Sequence, residues 1–279
     1  MHLTRLAPTP SGYLHIGNAI GMLLTRRIAK ESGARILLRI DDLDSDRVRP
    51  EYLDDIFESL KWLGVVWDLG PKDVDDHRRN WSQSLRIDRY FQLLERLRAL
   101  NVLYGCTCTR AQLRGSDIYP GTCRDKKISL DDPTAAWRIA VPEGAQAEVN
   151  LIAGGTITID VSEVIGDVVL RQRPIGGKPA MPAYQIASLS DDVESGTTLI
   201  VRGADLLPST AMQLHLAQLL ELDGFRSVRF LHHPLVLDPG GRKLSKSEGA
   251  FSLKAMRERG ADPSSIIDQA DRMYAQCFP

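Results

Sequence analysis

The sequence predicts an α/β fold in which a parallel sheet is interrupted by a strand-rich insertion, and three features carry that expectation. The chain opens with a strand, a turn-forming loop, a helix and a second strand; residues 102–173 lack helical periodicity; and alternating strands and helices resume from residue 174.

Leu3 to Ala7 is a short apolar run, Pro8 to Gly12 has turn chemistry, and Ile20, Leu23, Leu24 and Ile28 then recur at helical spacing. Gly33 is placed to end this helix, since a residue without Cβ closes a helix at little steric cost. Ile36, Leu37 and Leu38, flanked by Arg35 and Arg39, form the continuous aliphatic run of a strand covered on both faces. The two strands and their helix make a βαβ unit.

Helices are expected at about 51–63, with Ile56, Leu60 and Leu63 on one side, and at about 82–100, with Leu93, Leu94 and Leu97 as the buried stripe. Residues 102–173 are rich in cysteine, glycine and β-branched residues, with alternating runs such as Thr156 to Val161, and read as an inserted strand-rich subdomain. Thr198 to Val201 then reads as a strand, Ser209 to Leu220 as a helix carrying Met212, Leu216 and Leu219, and Phe230 to Val236 as a strand region. The thirty residues after Gly249 suffice for one or two short helices. The expected division is 1–101 and 174–240 for two halves of one α/β domain, 102–173 for the insertion and 241–279 for a short helical tail.

A chain of 279 residues buries a core without covalent staples, and 43% apolar with 25% charged residues is an ordinary globular balance. A net charge of -1 excludes a molecule that is cationic throughout, so any nucleic acid would be held on a local basic face. The start lacks a basic stretch leading into an apolar core, and no apolar run approaches roughly eighteen residues, so the chain reads as cytoplasmic with no membrane partner. Three of the four cysteines, Cys106, Cys108 and Cys123, crowd into one segment. The C-x-C spacing makes a bond between the first two improbable, and three thiolates can hold a tetrahedral zinc with one further ligand; buried free cysteines are the other reading.

Two loops carry phosphate chemistry. Pro8 to Asn18, between the first strand and helix, places glycines, His15 and helix-terminal N–H groups where a triphosphate would be received; a helix-capping histidine is the structural alternative. Gly240 to Ser247 is glycine-rich with Lys243 and Lys246 three apart, point charges able to follow charge developing on phosphates, or a solvated basic loop.

Taken together, His15-Ile16-Gly17-Asn18 and Lys243-Leu244-Ser245-Lys246-Ser247 resemble the HIGH and KMSKS signatures of class I aminoacyl-tRNA synthetases. Within that class the stretches Arg5 to Gly12, Leu38 to Asp44, Leu63 to Asp68 and Val201 to Asp205 look like glutamyl-tRNA synthetases, and the likeness covers almost the whole chain. The resemblance implies a Rossmann-like catalytic domain that joins L-glutamate to ATP, with Mg2+, as glutamyl adenylate, mostly by positioning and charge stabilisation. By the same resemblance His15, Asn18, Lys243 and Lys246 are the catalytic residues, and His15, Gly17, Asn18 and Lys246 hold ATP. Arg5, Ala7, Thr9, Asp41, Tyr184 and Arg202 hold glutamate, Asp41 standing where the family has glutamate.

The cysteine segment resembles the structural zinc site of a truncated branch of that family in which a tyrosine is the fourth ligand, which gives Cys106, Cys108, Tyr119 and Cys123. That branch lacks the large helical anticodon-reading region and transfers glutamate to queuosine in the anticodon stem-loop of tRNA(Asp); the corresponding reading here is a monomer of that kind. After the second lysine Ser247 and Glu248 stand where many members of the branch have glutamine and asparagine. The alternatives are a compact enzyme charging a tRNA 3′ end and a non-catalytic glutamate- or ATP-binding relative.

Overall fold

The computed structural model describes residues 2–109, 111–113, 115, 118–236 and 252–278. The opening βαβ unit forms as the sequence predicts: β1 (Leu3–Leu6), α1 (Ile16–Ser32) and β2 (Arg35–Leu38), with β1 and β2 parallel from Leu3 opposite Arg35 to Leu6 opposite Leu38. Gly33 ends α1 at φ 65°, donating its N–H to the Ala29 carbonyl.

Helix α2 (Pro50–Trp62) follows, then a short helix α3 (Val74–Asp76) that runs into a π turn at His77–Trp81. The helix expected from residue 82 begins late, because Gln83–Arg86 wind as a 3-10 turn before α4 (Ile87–Ala99). Ser82 caps that tighter turn through its hydroxyl, and Tyr90, Leu94 and Leu97 are the side chains α4 buries, with Leu93 only half-buried.

The expected inserted segment 102–173 divides between two sheets. Strands β3 (Leu103–Cys106), β4 (Ala136–Ile139) and β7 (Val169–Arg171) form an antiparallel three-stranded sheet. Strands β5 (Gln146–Leu151) and β6 (Thr156–Asp160) form a hairpin that instead extends the central sheet, closed by the short helix α5 (Val161–Val164). Alternating apolar residues predict these strands but not their partners, because the pairing of β5 with β9 spans almost eighty residues of chain.

The α/β pattern resumes with α6 (Tyr184–Glu194), β8 (Leu199–Gly203), α7 (Leu207–Leu219), the short helix α8 (Asp223–Arg226) and β9 (Arg229–His233), and α9 (Leu253–Glu258) and α10 (Ser264–Cys277) complete the described chain. Among the described residues the central sheet has six strands in the order β2-β1-β8-β9-β5-β6, parallel except for β6. One apolar core packs α1, α2 and α10 against β1 and β2, and a second joins α4, α6 and α7 to β4, β5 and β9. The chain leaves β1 toward β2 on one side and reaches β8 on the other, so a crevice opens beyond the carboxyl ends of β1 and β8, where such sheets receive ligands. No helix among the described residues is long and apolar enough to cross a membrane.

Candidate active site

A cleft of about 370 Å³ occupies that crevice. Its lining gathers Arg5, Ala7 and Thr9 from the end of β1, His15, Gly17 and Asn18 from the start of α1, Arg39 and Asp41 from beyond β2, Tyr184 from α6 and Arg202 from β8. Every glutamate-site residue singled out from the sequence is therefore on this one cleft.

Its floor is a buried lattice of opposite charges. Asp192 on α6 accepts from Arg5 Nε at 3.1 Å and Arg39 Nη1 at 2.8 Å, and its second oxygen lies 4.0 Å from Arg202 Nη2. Arg39 also grips Asp41 with both prongs, Nε to Oδ1 at 2.7 Å and Nη2 to Oδ2 at 3.1 Å. The neighbouring Asp191 accepts from Arg86, Gln83 and Tyr90. Burial opposes ionisation of Asp192, but Arg39, Arg5 and Arg202 outweigh it and hold that carboxyl below its ordinary value. Burial raises Asp41, with the Arg39 contact opposing.

Arg202 is held differently. Its Nη1 donates to Thr210 Oγ1 at 3.2 Å and Gln213 Oε1 at 3.0 Å, both neutral, while Nε and Nη2 are buried without a hydrogen-bond partner among the described residues. Across the lattice four guanidiniums, of Arg5, Arg39, Arg86 and Arg202, face three carboxylates, of Asp41, Asp191 and Asp192. Buried charge left unmatched is costly, so the arrangement suits a ligand that brings net negative charge.

His15 both caps α1 and faces the cleft. It caps α1, its Nδ1 accepting from Asn18 N at 3.4 Å while Asn18 Oδ1 accepts from His15 N at 3.0 Å, and its ring lines the cleft. With Nδ1 an acceptor, the proton of the neutral ring sits on Nε2. A Cβ at Gly17 would lie 3.0 Å from that ring, which explains the glycine. Lys243 and Lys246 lie outside the described residues. The chain borders the cleft on both sides of them: Val236 lines it, and Ser252 pairs with His15 while Leu253 N donates to the Leu14 carbonyl at 2.7 Å.

The cysteines converge outside the residues that line this cleft. Cys106, Cys108 and Cys123 lie with sulfurs within 4.8 Å of one another, and Tyr119 Oη is 3.4 Å from both Cys106 Sγ and Cys108 Sγ. Zinc bound tetrahedrally to thiolates holds sulfurs about 3.8 Å apart, so the donor set and its spacing fit that ion. Tyr119 Oη also accepts from Cys123 N at 2.9 Å. Burial opposes ionisation of Cys123, but bonds from Tyr119 and the Thr107 backbone prevail and bring it down to about 7; burial raises Cys108. Arg138, nearly buried, donates Nε to Cys106 Sγ at 3.3 Å and lies 3.7 Å over the Tyr119 ring.

Sequence reasoning overlooked Asp191, Asp192, Arg86, Thr210 and Gln213 as parts of the site. The signal was present: two consecutive acids and a glutamine stand at positions of α6 and α7 that the helices bury, where carboxylates are rarely left unpaired. Arg171 lies 4.6 Å over the Trp137 ring, and Arg173 donates to the Thr107 and Cys108 carbonyls at 3.3 Å.

Comparison with known proteins places these features in context. Residues 2–277 match the family of tRNA synthetases class I (E and Q), catalytic domain. The chain is 37% identical over 278 residues to the glutamyl-Q tRNA(Asp) synthetase of Nitratidesulfovibrio vulgaris, spanning 94% of this chain and 83% of that protein. To the protein of the same description from Pseudomonas aeruginosa it is 38% identical over 285 residues, spanning 98% and 90%. Among solved structures it resembles the glutamate-tRNA synthetase of Elizabethkingia anophelis, with a TM-score of 0.69 and 28% identity; the match covers 89% of this chain and 53%, about half, of that one.

Proposed function

Because this chain belongs to the class I tRNA synthetase family of the glutamate and glutamine type, we propose that it activates L-glutamate with ATP and passes the glutamyl group to queuosine in the anticodon of tRNA(Asp). The observation that carries the glutamate end is the surplus of one positive charge in the buried ion-pair lattice beneath the cleft, since glutamate brings two carboxylates and one ammonium. Arg202, whose buried Nε and Nη2 have no partner among the described residues, takes one carboxylate, and Arg5 and Thr9 border the same space. Tyr184 and Ala7 shape its walls. Asp41 is committed to Arg39 by two bonds, so its negative charge reaches the substrate ammonium from a fixed position, directly or through a water.

The chemistry is a displacement at phosphorus. A carboxylate oxygen of glutamate attacks the α-phosphorus of ATP, the bond from that phosphorus to the α,β-bridging oxygen breaks, and pyrophosphate departs with the electron pair. His15 Nε2–H and the backbone N–H of Gly17 at the start of α1 donate to the phosphates as charge develops, and Lys243 and Lys246 supply positive charge. Mg2+ accompanies ATP, as in the class. A queuosine hydroxyl then attacks the mixed anhydride, forming an ester and releasing AMP. Cys106, Cys108, Tyr119 and Cys123 would hold zinc, whose contribution is to fasten the lobe carrying β3; Arg138 offsets the negative charge of those donors. In this scheme residues 1–101 and 174–236 form the catalytic halves, with the β5–β6 hairpin added to their sheet.

The acceptor is tested by incubating the protein with ATP, labelled glutamate and tRNA(Asp) that carries or lacks queuosine. Label that depends on queuosine and survives removal of the terminal adenosine is expected; label lost with that adenosine would assign the 3′ end instead.

A further inference from the structure

Of the four guanidiniums in the lattice, Arg202 alone donates its hydrogen bonds to neutral groups, and Gln213 is the closer of the two acceptors. Gln213 sits on α7, fully buried, one helical turn beyond Thr210, so both reach the same guanidinium nitrogen from one helix face. Arginine has no acceptor, so the amide must present its oxygen, and the amide nitrogen is left buried without a partner among the described residues. A glutamate of the same shape would leave no such N–H and would pair the charge. The neutral amide therefore costs stability at this position, and what it preserves is an uncompensated cation on the cleft.

We propose that Gln213 is a positioning residue that sets amino-acid specificity: it fixes Arg202 through a neutral acceptor, reserving that positive charge for the substrate and favouring an amino acid that ends in a carboxylate over one that ends in an amide. The inference rests on the glutamate-activating reading above and deepens it. The remaining groups packed around Arg202 agree with the assignment. Thr210 is neutral, His232 Nε2 lies 2.8 Å from Thr210 Oγ1 and is uncharged at neutral pH, and Asp192 stands at 4.0 Å while paired more closely with Arg5 and Arg39. No carboxylate in the described structure lies nearer to Arg202 than Asp192, so the charge of residue 213 decides whether Arg202 is matched before substrate arrives.

The test is pyrophosphate–ATP exchange driven by glutamate or by glutamine, with wild type, Gln213→Glu and Gln213→Met. In Gln213→Glu, kcat/KM for glutamate is expected to fall about 100-fold or more while that for glutamine changes less than about tenfold, because an internal carboxylate has taken the substrate's partner. In Gln213→Met the charge stays unmatched, so preference for glutamate persists while its KM rises roughly three- to tenfold with kcat nearly constant, from the loss of one anchor. A folded Gln213→Glu protein that keeps the wild-type preference overturns the proposal. If that variant shows no cooperative unfolding transition, Gln213→Met decides, and an unchanged glutamate KM or a lost preference overturns it. Wild type without glutamate-driven exchange would instead sink the activation reading itself.

Discussion

In the buried lattice beneath the cleft four guanidiniums meet three carboxylates, whereas in the cysteine lobe the guanidinium of Arg138 meets a cluster of three sulfurs and a phenol. The first region is short of negative charge and the second, once its thiols ionise, is short of positive charge. Each imbalance names the charge of what completes it: an anionic amino acid in the cleft, a divalent cation in the lobe.

The sharpest way to break the contrast is to remove the unmatched cation. Arg202→Met keeps most of the volume and is expected to lower kcat/KM for glutamate in pyrophosphate exchange by roughly 100- to 1,000-fold, the loss of a buried charge partner. Activity within tenfold of wild type would mean that Arg202 does not face the substrate carboxylate.

Next in size is the lobe. Purified protein should carry about one zinc per chain by elemental analysis, and Cys108→Ser should lose it and unfold at lower temperature, as expected when a structural ion leaves. Full zinc content in that variant would remove Cys108 from the ligand set. Asp41→Asn is a milder perturbation of the lattice: it frees one face of Arg39 and should raise the glutamate KM about tenfold with a smaller effect on the KM for ATP.

The smallest effect lies behind Arg202. Burial, and then the Arg202 charge, lowers His232 to about 4, and burial lowers His215 and His233 as well. A group whose folded value is depressed binds protons more readily when unfolded, so these rings contribute stability above about pH 6.5, and it drains away as pH falls toward 4. Denaturant midpoints measured at pH 7 and 4.5 should differ, and His232→Gln should flatten part of that slope, by on the order of 1–2 kcal/mol. An unchanged slope would show that protonation of His232 is not felt by the fold.

Much of this was legible in the sequence. The first βαβ unit was, because α1 and β2 each follow one simple period and Gly33 marks their junction. The late start of α4 was not, since Ser82 and Gln83 serve the loop after β2 instead: Ser82 Oγ and Gln83 N both donate to Asp42, and Gln83 Oε1 accepts from Leu43 N. Nor was the recruitment of β5 and β6 to the central sheet, a long-range pairing that alternation cannot specify. At the site, the cysteines announced themselves by spacing, and Arg5, Asp41 and Arg202 came from the resemblance. Asp191, Asp192 and Gln213 were hidden because buried polar residues on apolar helices look like core positions until the arginines opposite them are known.

The account depends most directly on glutamate-dependent exchange of pyrophosphate into ATP, measured without tRNA and with aspartate and glutamine as controls. Exchange driven by glutamate and by neither control is the predicted result, since the floor of the cleft holds one positive charge for one more carboxylate than an amide can offer. Exchange driven equally by glutamine, or none with any of the three, would contradict it.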